Sequence, residues 1–226
     1  MVTALVDMDG TITDPRQGML TCMRFALAEV GCECPPDDEI VRHIGPPLRD
    51  ALRAILGTAH GARAEFALER FRHRYMEGGI LENSVYPGIP DALADLRRRR
   101  VRVLLATSKP IAYATQILRN TRLAEYFDGV YGSELDGTRA DKGKLIAYIL
   151  ERESLDRSAT SMVGDRAQDI LGARANGIAS IGVLWGYGSR EELVDAGASV
   201  LCQNPSMLCE TIVDRLDPGL VEGDGP

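Results

Sequence analysis

The apolar positions of the chain follow two periods. Ala4-Leu5-Val6 is a continuous apolar run, too short for a helix face and closed off by Gly10, which predicts a buried strand. The spacing then turns helical: Met19, Leu20, Met23, Ala26, Leu27 and Val30 recur every three or four residues, and Gly31 is a stop signal. Pro35-Pro36-Asp37-Asp38 restarts the chain with an acid as N-cap, and Gly45-Pro46-Pro47 ends that short piece. Leu48, Leu52, Ile55 and Leu56 mark a third helix; Ala64, Ala67, Leu68, Phe71 and Tyr75 mark a fourth, closed by Gly78-Gly79.

Beyond Pro87 the two periods alternate. A helix with the stripe Ile89, Leu93 and Leu96 precedes a strand over Val101 to Ala106, which ends at Thr107-Ser108-Lys109-Pro110. A helix bearing Ile111, Ala114 and Leu118, a short strand at Gly129-Val130-Tyr131 and a polar loop from Gly132 to Ala140 lead to Lys142, at the head of a further helix. Ser161-Met162-Val163 then runs into Gly164-Asp165-Arg166-Ala167-Gln168-Asp169, and another strand spans Ala179 to Leu184. Ser189-x-x-Glu192 has the form of a capping box, and Ser199-Val200-Leu201 makes a last strand. Such alternation predicts an α/β doubly wound parallel sheet with ligands at the carboxyl ends of its strands. An all-helical segment, 17–82, interrupts it as an inserted cap, leaving 1–16 and 83–216 as the core and 217–226, rich in Pro, Gly and acids, as a disordered tail.

The chemistry sits where the strands stop. Alternation places Asp7 and Asp9 on one side of the chain just past Val6, with Met8 opposed. Like charges brought together call for a cation between them, and with no thiolate or imidazole nearby, Mg²⁺ suits these hard oxygen ligands. Thr107 and Ser108, and then Asp165, stand just past two further apolar strands, so the polar groups converge on one edge of the predicted sheet.

Composition narrows the setting. A length of 226 residues at 45% hydrophobic suffices for a real core, and the net charge of −7 makes nucleic acid an unexpected partner. No apolar run approaches a bilayer span and no leader precedes the first strand, so no membrane association is expected. Cys22, Cys32, Cys34, Cys202 and Cys209 are odd in number and lack zinc-ligand spacing, which fits a reduced, cytoplasmic protein, expected as a monomer or weak dimer. The 26 basic residues include three lysines, Lys109, Lys142 and Lys144, so each is a candidate for a place where a compact point charge works and a planar fork does not.

Asp7-x-Asp9-Gly10-Thr11 resembles the first motif of the haloacid dehalogenase-like phosphohydrolases. Thr107, Lys142 and Gly164-Asp165-xxx-Asp169 resemble the second, third and fourth. The resemblance implies that Asp7 is the nucleophile and Asp9 the general acid/base. It implies that Thr107, assisted by Ser108, and the backbone N–H groups of Asp9 and Gly10 hold the phosphoryl group, with Lys142 paired to the nucleophile. Mg²⁺ would be held by Asp7, by the carbonyl of Asp9 and by Asp165, with Asp169 in support. Lys144 stays open as a rival to Lys142. Thr107-Ser108-Lys109-Pro110, Gly132-Ser133-x-Leu135-Asp136-Gly137 and Gly182-Val183-x-Trp185-Gly186-Tyr187-Gly188 are similar to the phosphoglycolate phosphatase-like branch with a helical cap. Lys109 is expected near the phosphate and Arg49 is the cap residue expected to meet a substrate anion.

The implied activity is Mg²⁺-dependent hydrolysis of a small phosphorylated metabolite, most like phosphoglycolate, with a nucleoside 5′-monophosphate or a non-catalytic phospho-ligand binder as alternatives. Asp9 and Asp165 speak against dehalogenation, and the absence of lysine from 15–85 speaks against Schiff-base phosphonate cleavage. Thr11, where related sugar phosphomutases usually carry Val, favours hydrolysis. His43, His60 and His73 are expected at the surface or in helix packing, and Trp185 and Tyr187 in packing of their loop.

Overall fold

The structure, a computed structural model, describes residues 1–57 and 61–216; His60 and the tail 217–226 lie outside them. Strands β1 (Thr3–Val6), β4 (Arg102–Pro110), β5 (Gly129–Ser133), β6 (Thr160–Gly164), β7 (Ala179–Val183) and β8 (Val200–Cys202) form one parallel sheet in the order β5-β4-β1-β6-β7-β8. β1 pairs with β4 on one side and β6 on the other, so the chain reverses its direction of winding there and its carboxyl end opens a crevice. Strand β4 runs on through Thr107-Ser108-Lys109-Pro110, beyond the predicted stop. A register shift against β5 between Ala106 and Pro110 keeps this polar stretch extended.

Period-two alternation decides what each face meets. Ala4 and Val6 pack with Ile89 and Leu93 of α5 (Ile89–Arg98) and Ile212 and Val213 of α10 (Leu208–Leu216). Leu5 packs with Leu145, Ile146 and Ile149 of α7 (Lys142–Arg152) and Ala173 of α8 (Ala167–Ala175). Asp7, two residues beyond Leu5, therefore looks toward the face that α7 covers. Helix α6 (Ile111–Asn120) lies against β4 and β5, and α9 (Arg190–Asp195) against α8. Helix α10, with no counterpart in the sequence reading, covers the far strands with Leu208, Cys209, Ile212 and Val213.

Between β2 (Thr13–Asp14) and β3 (Ser84–Val85), which pair antiparallel, lie α1 (Arg16–Glu29), α2 (Asp37–Val41), α3 (Leu48–Leu56) and α4 (Gly61–Glu77). The chain thus leaves and re-enters the α/β body through a two-stranded ribbon. Arginines tie the helical insert to the body by donating to carbonyls: Arg166 Nη1 to Ile44 (2.6 Å), Arg49 Nη1 to Asp136 (3.1 Å), and Arg72 to Leu135.

Two local expectations change. Helix α2 is capped by Pro36, which has no cap side chain, and Asp37 is its first residue, where a carboxylate still favours the helix dipole. The capping box at Ser189 is half formed: Ser189 Oγ accepts from Glu192 N (3.1 Å), but the Glu192 carboxylate takes Arg166 Nε (2.9 Å) and Ala167 N (2.8 Å) instead of returning to the cap. The five cysteines are free, and burial pushes the Cys22 thiol up to about 12. No helix among the described residues is long and apolar enough to cross a membrane.

Candidate active site

Three carboxylates meet beyond β1 and β6. Asp7, Asp165 and Asp169 are buried, and each offers an oxygen within 4.8 Å of the others. Lys142, the first residue of α7, is buried too, donates to Asp7 Oδ1 (2.7 Å) and the carbonyl of Ala106 (2.8 Å), and forms an ion pair with Asp169 Oδ1 at 2.8 Å. Burial favours losing the Lys142 proton, but Asp169 and Asp7 outweigh it and hold the ammonium above its usual range. Lys144, two residues on, is exposed; of the two candidates, only Lys142 meets Asp7.

Asp165 is set by the turn after Asp9 and by the loop after β7. Thr11 Oγ1 donates to its Oδ1 (3.2 Å) and Tyr187 N to its Oδ2 (2.8 Å). Gly10, at φ +86°, has to be glycine twice over, since a Cβ there would lie 2.2 Å from Asp165 Oδ2. Gly186 presses on the same carboxylate from the other side, where a Cβ would meet Asp165 Cβ at 2.3 Å and the carbonyl of Gly10 at 2.4 Å. Trp185 Nε1 donates to the carbonyl of Thr11 (2.9 Å), and Tyr187 Oη donates to Asp14. These two rings pack the loop as expected, and in doing so fix Asp165 against the first turn.

Burial, and then the charges of Asp169 and Asp7, push the Asp165 carboxyl well above the usual carboxylate range. Burial likewise raises Asp169 to about 6 against the pull of Lys142. Three carboxylates stand against one ammonium, so the cluster is two positive charges short if every acid is ionised. The donors are all hard oxygens, without sulfur or imidazole, which fits a divalent cation of the Mg²⁺ class.

Asp9 belongs to a second cluster. Its Oδ2 pairs with Lys109 Nζ (2.9 Å), and the same amine donates to Tyr75 Oη (2.9 Å) on α4. Asp9 Oδ1 is buried without a hydrogen-bond partner. Burial raises the Asp9 carboxyl, partly offset by Lys109. The Asp9 side chain thus stays outside the carboxylate triplet, and Asp169 fills the place beside Asp7 and Asp165.

A chamber opens over Asp9 and Lys109 and reaches Asp7 of the triplet. Asp7, Asp9, Thr107, Ser108 and Lys109 form its floor, and Ile44, Leu48, Leu68, Phe71, Tyr75 and Tyr113 its walls. Phe71 stacks on Tyr75 (centroids 5.7 Å apart), which meets Tyr113 at 5.3 Å. Thr107 is buried, its Oγ1 accepting from Lys109 N (3.2 Å). Arg49 reaches the chamber, but its guanidinium is bound to Glu65 (3.0 Å) and to the carbonyl of Asp136. His43, half-buried, is among the residues lining the chamber, and His73 is exposed beside Glu77.

The sequence matches the haloacid dehalogenase-like hydrolase family over residues 4–183. The chain belongs to that family. A 5′-nucleotidase of Pseudomonas aeruginosa is 43% identical over 84% of this chain and 85% of its own. The tyrosine-protein kinase PtkA of Mycobacterium tuberculosis is 35% identical over 91% of this chain and 69% of its own. Among solved structures, a predicted phosphatase from Clostridium acetobutylicum superposes with a TM-score of 0.89 at 33% identity, covering 94% of this chain and 98% of that one. The fold is thus that of a haloacid dehalogenase-like hydrolase. Sequence reasoning missed Thr11 as a support for Asp165, although it lies inside the first motif. It also missed Tyr75, whose place in an apolar stripe gave no sign that its hydroxyl would reach Lys109.

Proposed function

We propose that the protein is a phosphoric monoester hydrolase acting on a small phosphorylated metabolite, with Asp7 as nucleophile. The observation that carries this reading is the buried cluster of Asp7, Asp165, Asp169 and Lys142, from which Asp7 reaches the floor of a chamber. Lys142 keeps Asp7 oriented with a compact charge beside it, and Asp7 attacks the phosphorus in line to give an aspartyl phosphate. Thr107 and Ser108 bind phosphoryl oxygens, and because the N–H of Gly10 is spent on the carbonyl of Thr13 (2.8 Å), the backbone N–H of Asp9 completes the cradle. Asp9, kept protonated more readily by burial, gives its proton to the departing alkoxide and then takes one from the water that clears Asp7. Mg²⁺, held by Asp7, Asp165 and the carbonyl of Asp9 with Asp169 in support, would neutralise phosphoryl charge. Residues 17–82 serve as the cap that excludes water.

The chamber favours a nucleoside 5′-monophosphate over phosphoglycolate. A glycolate carboxylate needs a cation, yet Arg49, Arg72 and Lys109 already serve acceptors of the chain, while Tyr113, half-buried on the chamber wall, offers an aromatic face to a base. The 5′-nucleotidase relative supports the same reading. One stacked base contributes about 1–3 kcal/mol. With Mg²⁺ present, kcat/KM should therefore be at least about fivefold higher for nucleoside 5′-monophosphates than for phosphoglycolate. Asp7→Asn should abolish phosphate release from both. Preference for phosphoglycolate would sink the substrate reading, and undiminished turnover in Asp7→Asn would sink the mechanism.

A further inference from the structure

Asp9 is held by one oxygen only. Lys109 Nζ takes Oδ2 at 2.9 Å, while Oδ1 is buried with no partner, beside a chamber that Asp9 itself lines. A carboxylate free to turn about its last torsion exchanges its two oxygens, and a proton donor must keep one of them aimed at the leaving group. The ammonium that fixes Oδ2 is itself fixed from above: Tyr75 Oη accepts from it at 2.9 Å, and Tyr75, on α4, is braced between Phe71 and Tyr113. The Lys109 side chain is 8% exposed and that of Asp9 13%, so little water competes for these bonds.

We propose that Lys109 is the positioning residue of Asp9. It pins Oδ2, which leaves Oδ1 as the oxygen that passes its proton to the departing alkoxide, and the hydroxyl of Tyr75 completes the clamp from the helical insert. Lys109 touches neither the phosphorus nor the proton in flight. It acts through Asp9, and it does so only while α4 lies on the β4 end of the sheet. This inference rests on the assignment of Asp9 as the acid.

Leaving-group dependence tests it. An alkyl phosphate needs a proton on its leaving oxygen, whereas p-nitrophenyl phosphate expels a stable phenolate and needs little help. The ratio of kcat/KM on the two isolates the first chemical step from the later hydrolysis of Asp7. Lys109→Met and Tyr75→Phe should each lower kcat/KM on the alkyl phosphate by about tenfold more than on p-nitrophenyl phosphate, a part of what a well-placed acid contributes. Lys109→Arg, which can still reach Oδ2, should recover part of that difference. Tyr75→Phe removes a single hydroxyl and carries the test if Lys109→Met folds poorly. Equal losses on both substrates, or none, in Tyr75→Phe would overturn the clamp. Asp9→Asn is measured alongside. If it discriminates between the substrates and the clamp variants do not, Lys109 is a structural residue only. If Asp9→Asn fails to discriminate, the acid assignment is wrong and the clamp falls with it.

Discussion

Two buried lysines flank the end of β1, alike in burial and in pairing with an aspartate, and they differ in what holds their far side. Lys142 is bonded to Asp7, Asp169 and the carbonyl of Ala106, all within the α/β body. Lys109 is bonded to Asp9 and to Tyr75, which belongs to the helical insert. A buried ion pair is stable only when its remaining donors and acceptors are also satisfied. The acceptors around the Lys142 ammonium all come from the body, whereas one of the two around Lys109 comes from the insert. One half of the site is therefore a fixture of the fold, and the other is conditional on the position of α4.

The harshest test of the fixture is Lys142→Arg. A guanidinium is wider than an ammonium and cannot give one proton to each of three acceptors this close together. We expect kcat to fall by at least about 10²-fold, nearly as far as in Lys142→Ala, although charge is retained. Lys144→Arg, changing an exposed residue, should leave kcat within about twofold of the parent. Steady-state kinetics with thermal melts on the same samples decide the matter. A dead Lys144→Arg beside an active Lys142→Arg would place the nucleophile's partner on the wrong lysine.

A smaller effect is read through pH, where Asp9 of the conditional half is raised in the same direction as the triplet. Asp165 and Asp169 have raised pKa values in the folded chain, so without a cation the folded state keeps protons that the unfolded chain has already released. Stability of the chelated protein then falls as pH rises from the ordinary carboxylate value, 3.8, through about 6. Mg²⁺ binds the folded, ionised cluster and restores that loss. Melting temperatures of chelated and Mg²⁺-loaded protein should converge near about pH 4 and separate by on the order of 5 °C near about pH 7. The raised Lys109 and Lys142 act in the same direction but only above their ordinary value of 10.5, outside this window. A gap that narrowed toward neutral pH would show that the carboxylate triplet is not short of positive charge.

The halves also differ in how far the sequence discloses them. The fixture is readable because its parts follow rules of short range. Apolar runs end in Asp7 and Asp165, period-two alternation carries Asp7 to the face where α7 begins, and Lys142 stands at that helix's head. The conditional half depends on a contact between residues 34 apart in different layers of the molecule, Tyr75 and Lys109. Tyr75 serves the apolar stripe of α4 with its ring and Lys109 with its oxygen, and a hydrophobic pattern records the ring alone. The proximity of Lys109 to the phosphate-binding turn suggests an effect on affinity, whereas its bonds to Asp9 and Tyr75 point to turnover. Helix α10 went unread although Leu208, Cys209, Ile212 and Val213 carry its stripe, because the last strand offers no further alternation for it to continue.

The smallest effect is expected at Arg49, where the sequence suggests a contact with a substrate anion. Its guanidinium is spent on structure: Nε faces Glu65 at 3.0 Å, and Nη1 holds the carbonyl of Asp136 at 3.1 Å, one of the ties between the insert and the body. About a third of the side chain is exposed, and Arg53 offers Glu65 a second partner at 3.2 Å, so the ion pair itself adds little. If Arg49 only ties, Arg49→Ala loosens the insert slightly and disturbs the conditional half alone. We expect kcat/KM on a nucleoside 5′-monophosphate to fall by no more than about threefold, equivalent to a single half-exposed hydrogen bond. The loss should appear in kcat with KM nearly unchanged, and the Mg²⁺-dependent gap in melting temperature should stay as in the parent, because the Lys142 side does not feel α3. An Arg that met a substrate anion would behave otherwise: KM would rise by about tenfold or more with kcat preserved, since a charge-assisted bond is lost from substrate and transition state alike. Measuring both constants in Arg49→Ala therefore decides whether this residue reads the substrate or only holds the insert over it.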